Sequence, residues 1–318
     1  MSGDSVYHVP IMLSEVIEAL KVERSGIFLD MTLGGGGHSS AILSSTADDS
    51  KVYGIDRDGD AIAEATRRIN AENPKRAHAF TAIRGNFFSA KQLLAERGVT
   101  EVDGILADLG VSSHQLDTPE RGFSHRYEAR LDMRLDKDAT LTAYDVVNGY
   151  GEAELVRIIR DYGEEKFACS IARSIVKRRE SKPVETTTEL VEIIKGAMPA
   201  KALREKGHPA SRTFQAIRIE VNSELDGLEQ AMRDAVGLLR KDGIIAVITF
   251  HSLEDRIVKN VFRELQNPCT CSPHAPICTC GKMPEIEILT RKPIVADGAE
   301  LERNPRARSA KLRVAKKL

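Results

Sequence analysis

The chain has no apolar run approaching the roughly 20 residues that a membrane-spanning helix needs, which excludes an integral helical membrane protein. Its opening residues, Met1 to Pro10, are polar and lack the apolar segment of a secretory signal. A cytoplasmic, reducing location is therefore expected. Charge of one sign is not in excess either: 46 Lys and Arg against 47 Asp and Glu leave a formal net charge of -1. Nothing draws the whole molecule to nucleic acid, so any such contact needs a local patch. No internal repeat or low-complexity segment is visible, which sets aside solenoids and disordered polymers. Cysteine is scarce. Four of the five stand in Cys269-Thr270-Cys271 and Cys278-Thr279-Cys280, and Cys169, alone in a helical pattern, reads as a small buried hydrophobe. What remains is a folded protein, 42% hydrophobic and 29% charged, whose 318 residues suffice for one large domain or two ordinary ones.

Two stretches carry the first positive signal. Phe28-Leu29-Asp30-Met31-Thr32-Leu33 enters the glycines Gly34 to Gly37 and then His38-Ser39; about twenty residues later, Val52-Tyr53-Gly54-Ile55 ends in Asp56. In an α/β domain this sets backbone that a ligand can approach beside a carboxylate suited to a ribose diol. A nucleoside-bearing cofactor is expected. Around the pair, Gly26 to Met31, Val52 to Asp56, Ala79 to Arg84 and Val102 to Leu109 read as strands. Ser14 to Leu20, Ser39 to Ser45, Asp58 to Ala71 and Ser89 to Arg97 read as helices, so the alternation predicts a parallel sheet covered on both faces. From Leu116 to Ile219 no strand pattern appears. A polar loop, Asp117 to Asp138, precedes helical periodicity over Ala153 to Tyr162, Glu165 to Arg179 and Thr187 to Met198. A helix over Glu224 to Leu239 and a strand over Gly243 to Phe250 resume the sheet, and two short β-like runs follow, Glu285 to Leu289 and Lys311 to Ala315.

Read as a dinucleotide fingerprint, the cluster fits at Gly34 and Gly36 but places Ser39 where the third glycine belongs. Asp30 at the strand end would repel a pyrophosphate, yet it suits the ammonium group of a methionine. That asymmetry favours S-adenosylmethionine over a nicotinamide cofactor, with an oxidoreductase as the runner-up. A glycine-rich turn without a ligand is the plain alternative, although consecutive glycines cost backbone entropy. Asp56 can hold both ribose hydroxyls or cap a helix; Asp58 fits the cap better. In Gly85-Asn86-Phe87-Phe88 an aromatic edge can lie on adenine, or either ring can be core. The fourth strand ends in Asp108-Leu109-Gly110-Val111-Ser112-Ser113, where catalytic groups sit in open α/β sheets.

These residues, with Gln115-Leu116-Asp117 and Glu120-Arg121-Gly122-Phe123-Ser124, resemble the cytosine-N4 methyltransferases of 16S ribosomal RNA, the MraW family. The likeness continues through Tyr162-Gly163-Glu164-Glu165, Ser211-Arg212-Thr213-Phe214-Gln215-Ala216 with Arg218-Ile219, and Val221-Asn222-Ser223-Glu224-Leu225. It closes with Phe250-His251-Ser252-Leu253-Glu254-Asp255-Arg256 and Asn304-Pro305-Arg306-Ala307-Arg308-Ser309, covering nearly everything from Tyr7 to Leu312. The resemblance implies a Rossmann-like methyltransferase domain, here over 1–115 and 220–318, interrupted by a helical substrate-recognition domain over 116–219. It implies methylation of the exocyclic N4 of a cytidine in the small ribosomal subunit. Its S-adenosylmethionine contacts carry over to Gly36, Gly37, His38, Asp56, Phe87, Asp108 and Gln115. One departure is His114, where the family commonly has proline.

Asp108 is the expected catalytic residue, orienting either the methionine end or the target amino group, with Ser112 and Ser113 lining the target pocket. The Asp/Asn-Pro-Pro-aromatic motif of many amino-methylating enzymes is absent; Asp108-Leu109-Gly110-Val111 stands in its place. His251 can meet the target base or cap the next helix. Asn222 and Arg212 can hold RNA or pack at a domain seam. Arg303, Arg306, Arg308, Lys311, Arg313, Lys316 and Lys317 face only Glu302 in the final stretch, a phosphate-binding composition. The cysteine pairs, with His274 between them, suit tetrahedral zinc or a redox-labile loop. Methyl transfer needs no metal, so no metal ligand enters the site. An RNA-docking assembly factor that uses S-adenosylmethionine only structurally is a further alternative. The oligomeric state stays open, a homodimer included.

Overall fold

The computed structural model describes residues 10–205, 207–272, 277 and 279–318, the side chains of Ser113 and His114 aside. The polar stretch ahead of Pro10, together with His274 and Cys278, lies outside the described residues. Two compact units emerge, Met1–Gly110 with Asp226–Leu318, and Val111–Leu225. The first unit begins α1 (Leu13–Leu20), β1 (Ile27–Asp30), α2 (Gly37–Ser45), β2 (Lys51–Asp56), α3 (Gly59–Glu72), β3 (Phe80–Arg84), α4 (Ala90–Ala95) and β4 (Val102–Asp108). The second unit holds α5 (Ser113–Asp117), α6 (Ala143–Gly149), α7 (Glu152–Asp161), α8 (Ala168–Arg179), α9 (Thr187–Ala197) and α10 (Ser211–Asn222). The first unit then resumes with α11 (Leu228–Leu238), β5 (Leu239–Thr249), α12 (Ser252–Gln266), β6 (Ile286–Ile288), α13 (Gly298–Arg303) and β7 (Lys311–Lys317).

Phe28, Leu29, Val52, Ile55, Ile105, Leu106 and the run Ile244 to Ile248 are all buried, as strands covered on both faces must be. They form a seven-stranded α/β sheet in the order β3-β2-β1-β4-β5-β7-β6. Neighbours from β3 to β5 run parallel, and β7 is antiparallel to both β5 and β6. The direction of strand succession reverses at β1 and β4, and such a switch point opens a crevice outside the carboxyl ends of the strands. Register carries Asp56 and Asp108 two residues beyond the end of β1: Asp30 pairs with Gly54 and Leu106, Asp56 with Arg84, and Asp108 with Ile248.

The second unit has its own core. Leu155, Ile158 and Ile159 of α7 meet Ile171, Ala172 and Ile175 of α8, Leu190 and Ile194 of α9, and Phe214 and Ile217 of α10. The i, i+3, i+4 spacing gives each helix one apolar stripe. Burying each Leu or Ile is worth roughly 1.5–3 kcal/mol. Thr186 starts α9 by accepting the Glu189 N–H while Glu189 reaches back, a complete capping box. Cys169 is exposed, contrary to its sequence reading, because the buried stripe of α8 runs through its neighbour Ala168. The seams also differ from the expected ones. A boundary at 219/220 would cut the unbroken helix α10, and the chain leaves the sheet unit after Gly110, before α5 begins.

Candidate active site

At the end of β1 the Asp30 carboxylate is sealed from solvent, 1% exposed. Its Oδ1 accepts the Thr32 N–H at 3.1 Å, and its Oδ2 accepts the Ser39 hydroxyl at 2.8 Å. Ser39 therefore has a reason to replace the third glycine of a dinucleotide fingerprint: it satisfies a buried acid. The loop is shaped by Leu33, whose side chain occupies the space a Cβ on Gly54 would take, 2.6 Å from Leu33 Cδ1. Gly34, at φ 48°, donates its N–H to Asp56 Oδ2 at 2.8 Å, and its outer face is open, with no atom nearer than 4.0 Å to an added Cβ. Gly36 and Gly37 are small for a different reason. Side chains there would press within 2.8 Å of Ala65 Cβ and 2.5 Å of Pro10 Cγ, so protein packing requires these two glycines.

Asp58 caps α3, accepting the Asp60 N–H, and this leaves the cap role off Asp56. Asp56 is nevertheless engaged: Oδ2 takes the Gly34 N–H and Oδ1 the Asp58 N–H at 2.8 Å. Each oxygen keeps a second lone pair, so a vicinal diol can still be bound. After β3, Asn86 caps a short turn through the Phe88 N–H, and the rings of Phe87 and Phe88 meet edge to face at 4.6 Å. Phe88 fills the space that a Cβ on Gly227 would need, 2.6 Å from its Cδ2. Core packing takes Phe88; Phe87 is the half-buried ring that remains.

Asp108 ends β4, and its N–H donates to Thr32 Oγ1 at 2.6 Å, tying the strand to the glycine loop. No sequence signal pointed to Thr32. His38 Nε2 lies 3.0 Å from the carbonyl of Ile11; a carbonyl only accepts, so Nε2 carries the proton. Burial pushes the His38 pKa down to about 4, leaving a neutral ring whose Nδ1 stands 3.6 Å from Asp108 Oδ2. Asp108 therefore gains no positive charge from it. Burial drives the Asp108 pKa well up, and the nearby charges of Asp30 and Glu254 push in the same direction. Asp108 Oδ1 is buried without a hydrogen-bond partner among the described residues. Leaving such a group unsatisfied costs roughly 1–3 kcal/mol, more for an ion. Acids close enough to raise one another's pKa suit a cationic ligand and oppose a pyrophosphate.

Burial also raises the Asp30 pKa, from 3.8 to about 6. The folded protein then holds this proton more tightly than the unfolded chain does. The resulting stabilisation is complete below the unfolded value and is lost as pH rises through about 6, a total of about 3 kcal/mol. Asp30→Asn removes that titration. Urea unfolding of the ligand-free protein should show the variant gaining about 3 kcal/mol on the wild type between about pH 4 and about pH 7. A difference independent of pH refutes the assignment.

The family model of the MraW methylases matches residues 5–318. The chain belongs to the MraW methylase family. It is 53% identical over 312 residues to the ribosomal RNA small subunit methyltransferase H of Clostridium botulinum (strain Kyoto / Type A2), covering 98% of this chain and 99% of that one. The protein of the same name from Ruminiclostridium cellulolyticum is 50% identical over 311 residues, with 98% and 99% coverage. An rRNA methylase structure from Streptococcus thermophilus aligns at TM-score 0.41 and 9% identity, over 96% of this chain and 93% of that one. Family membership rests on the sequence relatives.

Several signatures of this MraW-family chain prove to be packing devices. Gly163 has the carbonyls of Ile159 and Arg212 within 2.6 and 2.7 Å of an added Cβ, Gln215 donates to Tyr162 O at 2.9 Å, and Arg212 to Glu164 O at 3.1 Å. Asn222 accepts the Leu135 N–H at 2.7 Å and donates to Met133 O and Arg218 O at 2.8 Å, all inside the helical unit. Gln115, also of that unit, is buried, with its Oε1 accepting the Ser112 N–H at 2.9 Å. His251 caps α12 by accepting the Glu254 N–H on Nδ1 at 3.5 Å, the second of its two readings. The basic tail needs correction. Residues 311–317 form β7, and Lys311 and Arg313 pair with Asp255 at 3.1 and 2.6 Å. Lys316 lies 3.3 Å from Glu287 and Lys317 3.3 Å from Glu285, so much of the expected phosphate-binding charge is spent within the sheet unit. Among the described residues, no helix is long and apolar enough to cross a membrane.

Proposed function

We infer that the chain is an S-adenosylmethionine-dependent methylase of small-subunit (16S) ribosomal RNA, acting on the exocyclic N4 of a cytidine. Family membership supplies the reaction class, and the buried, unpartnered Asp108 Oδ1 is the observation that carries the site. That atom has no donor among the described residues, and the ammonium or amino group of a ligand would provide one. Asp56 would hold the ribose diol and Phe87 the adenine edge. Gly36, Gly37 and His38, with the open face of Gly34, would surround the methionine end. When bound, the sulfonium supplies an electrophilic methyl group. The cytosine amino group is the harder partner, because its lone pair is delocalised into the ring. A carboxylate at Asp108 accepting one N4 hydrogen would localise that pair. Holding the two reactants in line can contribute roughly 7–11 kcal/mol. Exposing a stacked base costs a few kcal/mol, a burden we assign to the helical unit. We place the reaction in the cytoplasm.

A tritiated methyl group offered with purified small subunits should appear in N4-methylcytidine on nucleoside analysis. Binding of the cofactor without transfer would favour an assembly factor, and labelling of another nucleoside would overturn the substrate. The nicotinamide alternative is disfavoured by the acids around the loop. Asp56→Asn keeps one acceptor oxygen but turns an NH2 toward either the Gly34 or the Asp58 N–H. Calorimetry with S-adenosylhomocysteine should show a loss of affinity of about tenfold to a hundredfold. Asp58→Asn, an equally good cap, should leave affinity unchanged.

A further inference from the structure

Between α12 and β6 the chain passes through residues 267–284 without a helix or strand among the described residues. Connections of this length in a compact domain are uncommon and call for a reason. Both roots of the loop are fixed. Glu285 N–H donates to Leu265 O at 2.9 Å, and Ile288 N–H to Gln266 Oε1 at 2.7 Å. Within the loop no described residue is buried; Ile277 and Met283 are 75% and 77% exposed. Among the described residues, apolar burial therefore does not offset the entropy of ordering them.

What the loop gathers is sulfur. The Sγ atoms of Cys269, Cys271 and Cys280 lie within 4.8 Å of one another, and no disulfide joins them. Cys280 Sγ stands 3.7 Å from Cys269 Sγ. A disulfide requires about 2.05 Å. Two sulfurs about 2.3 Å from one tetrahedral zinc stand about 3.8 Å apart. The observed separation matches the second geometry. Cys271 Sγ also accepts the Thr279 N–H at 3.3 Å, with the Thr279 hydroxyl at 3.7 Å. Donors of this kind orient a ligating thiolate and favour its charged form.

We propose that Cys269, Cys271 and Cys280 bind one zinc ion, a structural site that closes the 267–284 loop and stands apart from methyl transfer. The three thiols enter as thiolates and their protons pass to solvent, and a further donor takes the fourth position. Cys278 and His274, of the same sequence pattern, lie outside the described residues and are not part of the assignment.

The full chain, purified under reducing conditions without added metal, should carry about one zinc per molecule by elemental mass spectrometry. After chelation, cobalt titration should give thiolate-to-cobalt charge transfer and intense tetrahedral visible bands, saturating at about one equivalent. The Cys269→Ser, Cys271→Ser, Cys280→Ser triple variant should lose the bands and at least about tenfold of the metal, with methyl transfer retained. Chelating the wild type should speed proteolysis within the loop, a readout that needs no variant. Wild-type protein with only trace zinc and no charge-transfer band would overturn the site. So would bands that persist in the triple variant, or a Cys269–Cys280 disulfide in protein taken from reducing conditions.

Discussion

Asp108→Asn is expected to lower methyl transfer by about 10²–10³-fold while the protein stays folded. The exchange is nearly isosteric and leaves intact the Asp108 N–H bond to Thr32 Oγ1 at 2.6 Å. What it removes is a charge at Oδ1, an atom buried with no partner among the described residues. Two measurements divide the loss. If Asp108 holds the methionine ammonium, the affinity for S-adenosylhomocysteine falls; if it takes an N4 hydrogen, affinity stays and the single-turnover rate falls. A variant that keeps both refutes the role outright. Proton release gives a further signature. Burial, Asp30 and Glu254 hold the ligand-free Asp108 pKa well up, so its carboxyl is neutral over a wide range. A docking cation favours the carboxylate, so binding expels the proton. Affinity should therefore rise with pH up to the ligand-free pKa and level off above it. Calorimetry in buffers of different ionisation enthalpy should detect the released proton in the wild type and a smaller release in Asp108→Asn.

The sheet was legible because buried parallel strands are continuous apolar runs with turn residues at their ends; Gly26 to Met31 and Val52 to Asp56 became β1 and β2 within a residue at each end. Asp58 could be assigned as a cap because capping is local. The long-range ties were hidden. Nothing near Thr32 announces Asp108, 76 residues on, and nothing near Asp56 says that Gly34 already occupies one of its oxygens. Helix α6 escaped notice because Ala143, Val146 and Val147 make too short a stripe for periodicity, although its capping box, Thr142 with Asp145, stands in the sequence. The terminal cations looked free for phosphate because a local reading cannot see Asp255 beside Lys311 and Arg313. Charge in a sequence becomes available charge only once the fold has taken its share.

Gly122→Ala should cost the helical unit about 3–5 kcal/mol, far more than its size suggests. Gly122 sits at φ 68°, and an added Cβ would collide with the Arg130 carbonyl oxygen and lie 3.0 Å from the Asp132 nitrogen. Neither backbone atom has room to yield. Arg130 bridges to Thr186, Met133 N–H donates to Arg121 O at 3.0 Å, and the buried Arg121 guanidinium holds the carbonyls of Arg134 and Leu135 at 2.9 and 3.0 Å. The polar loop from Asp117 to Asp138 is thus a braced segment with two left-handed residues, Gly122 and Met133. Gly149→Ala is the matched control, because an added Cβ there meets nothing within 4 Å. Its stability should change by less than about 0.5 kcal/mol or rise slightly. Hydrogen exchange should show amide protection in α8 and α9 falling in Gly122→Ala alone. The glycine loop, Asp56, Phe87 and Asp108, proposed to touch the cofactor, all belong to the sheet unit. Affinity for S-adenosylhomocysteine should then drop no more than about tenfold, while methylation of the small subunit is lost. Equal losses in both would mean that the helical unit, and not the sheet unit, forms most of the cofactor site.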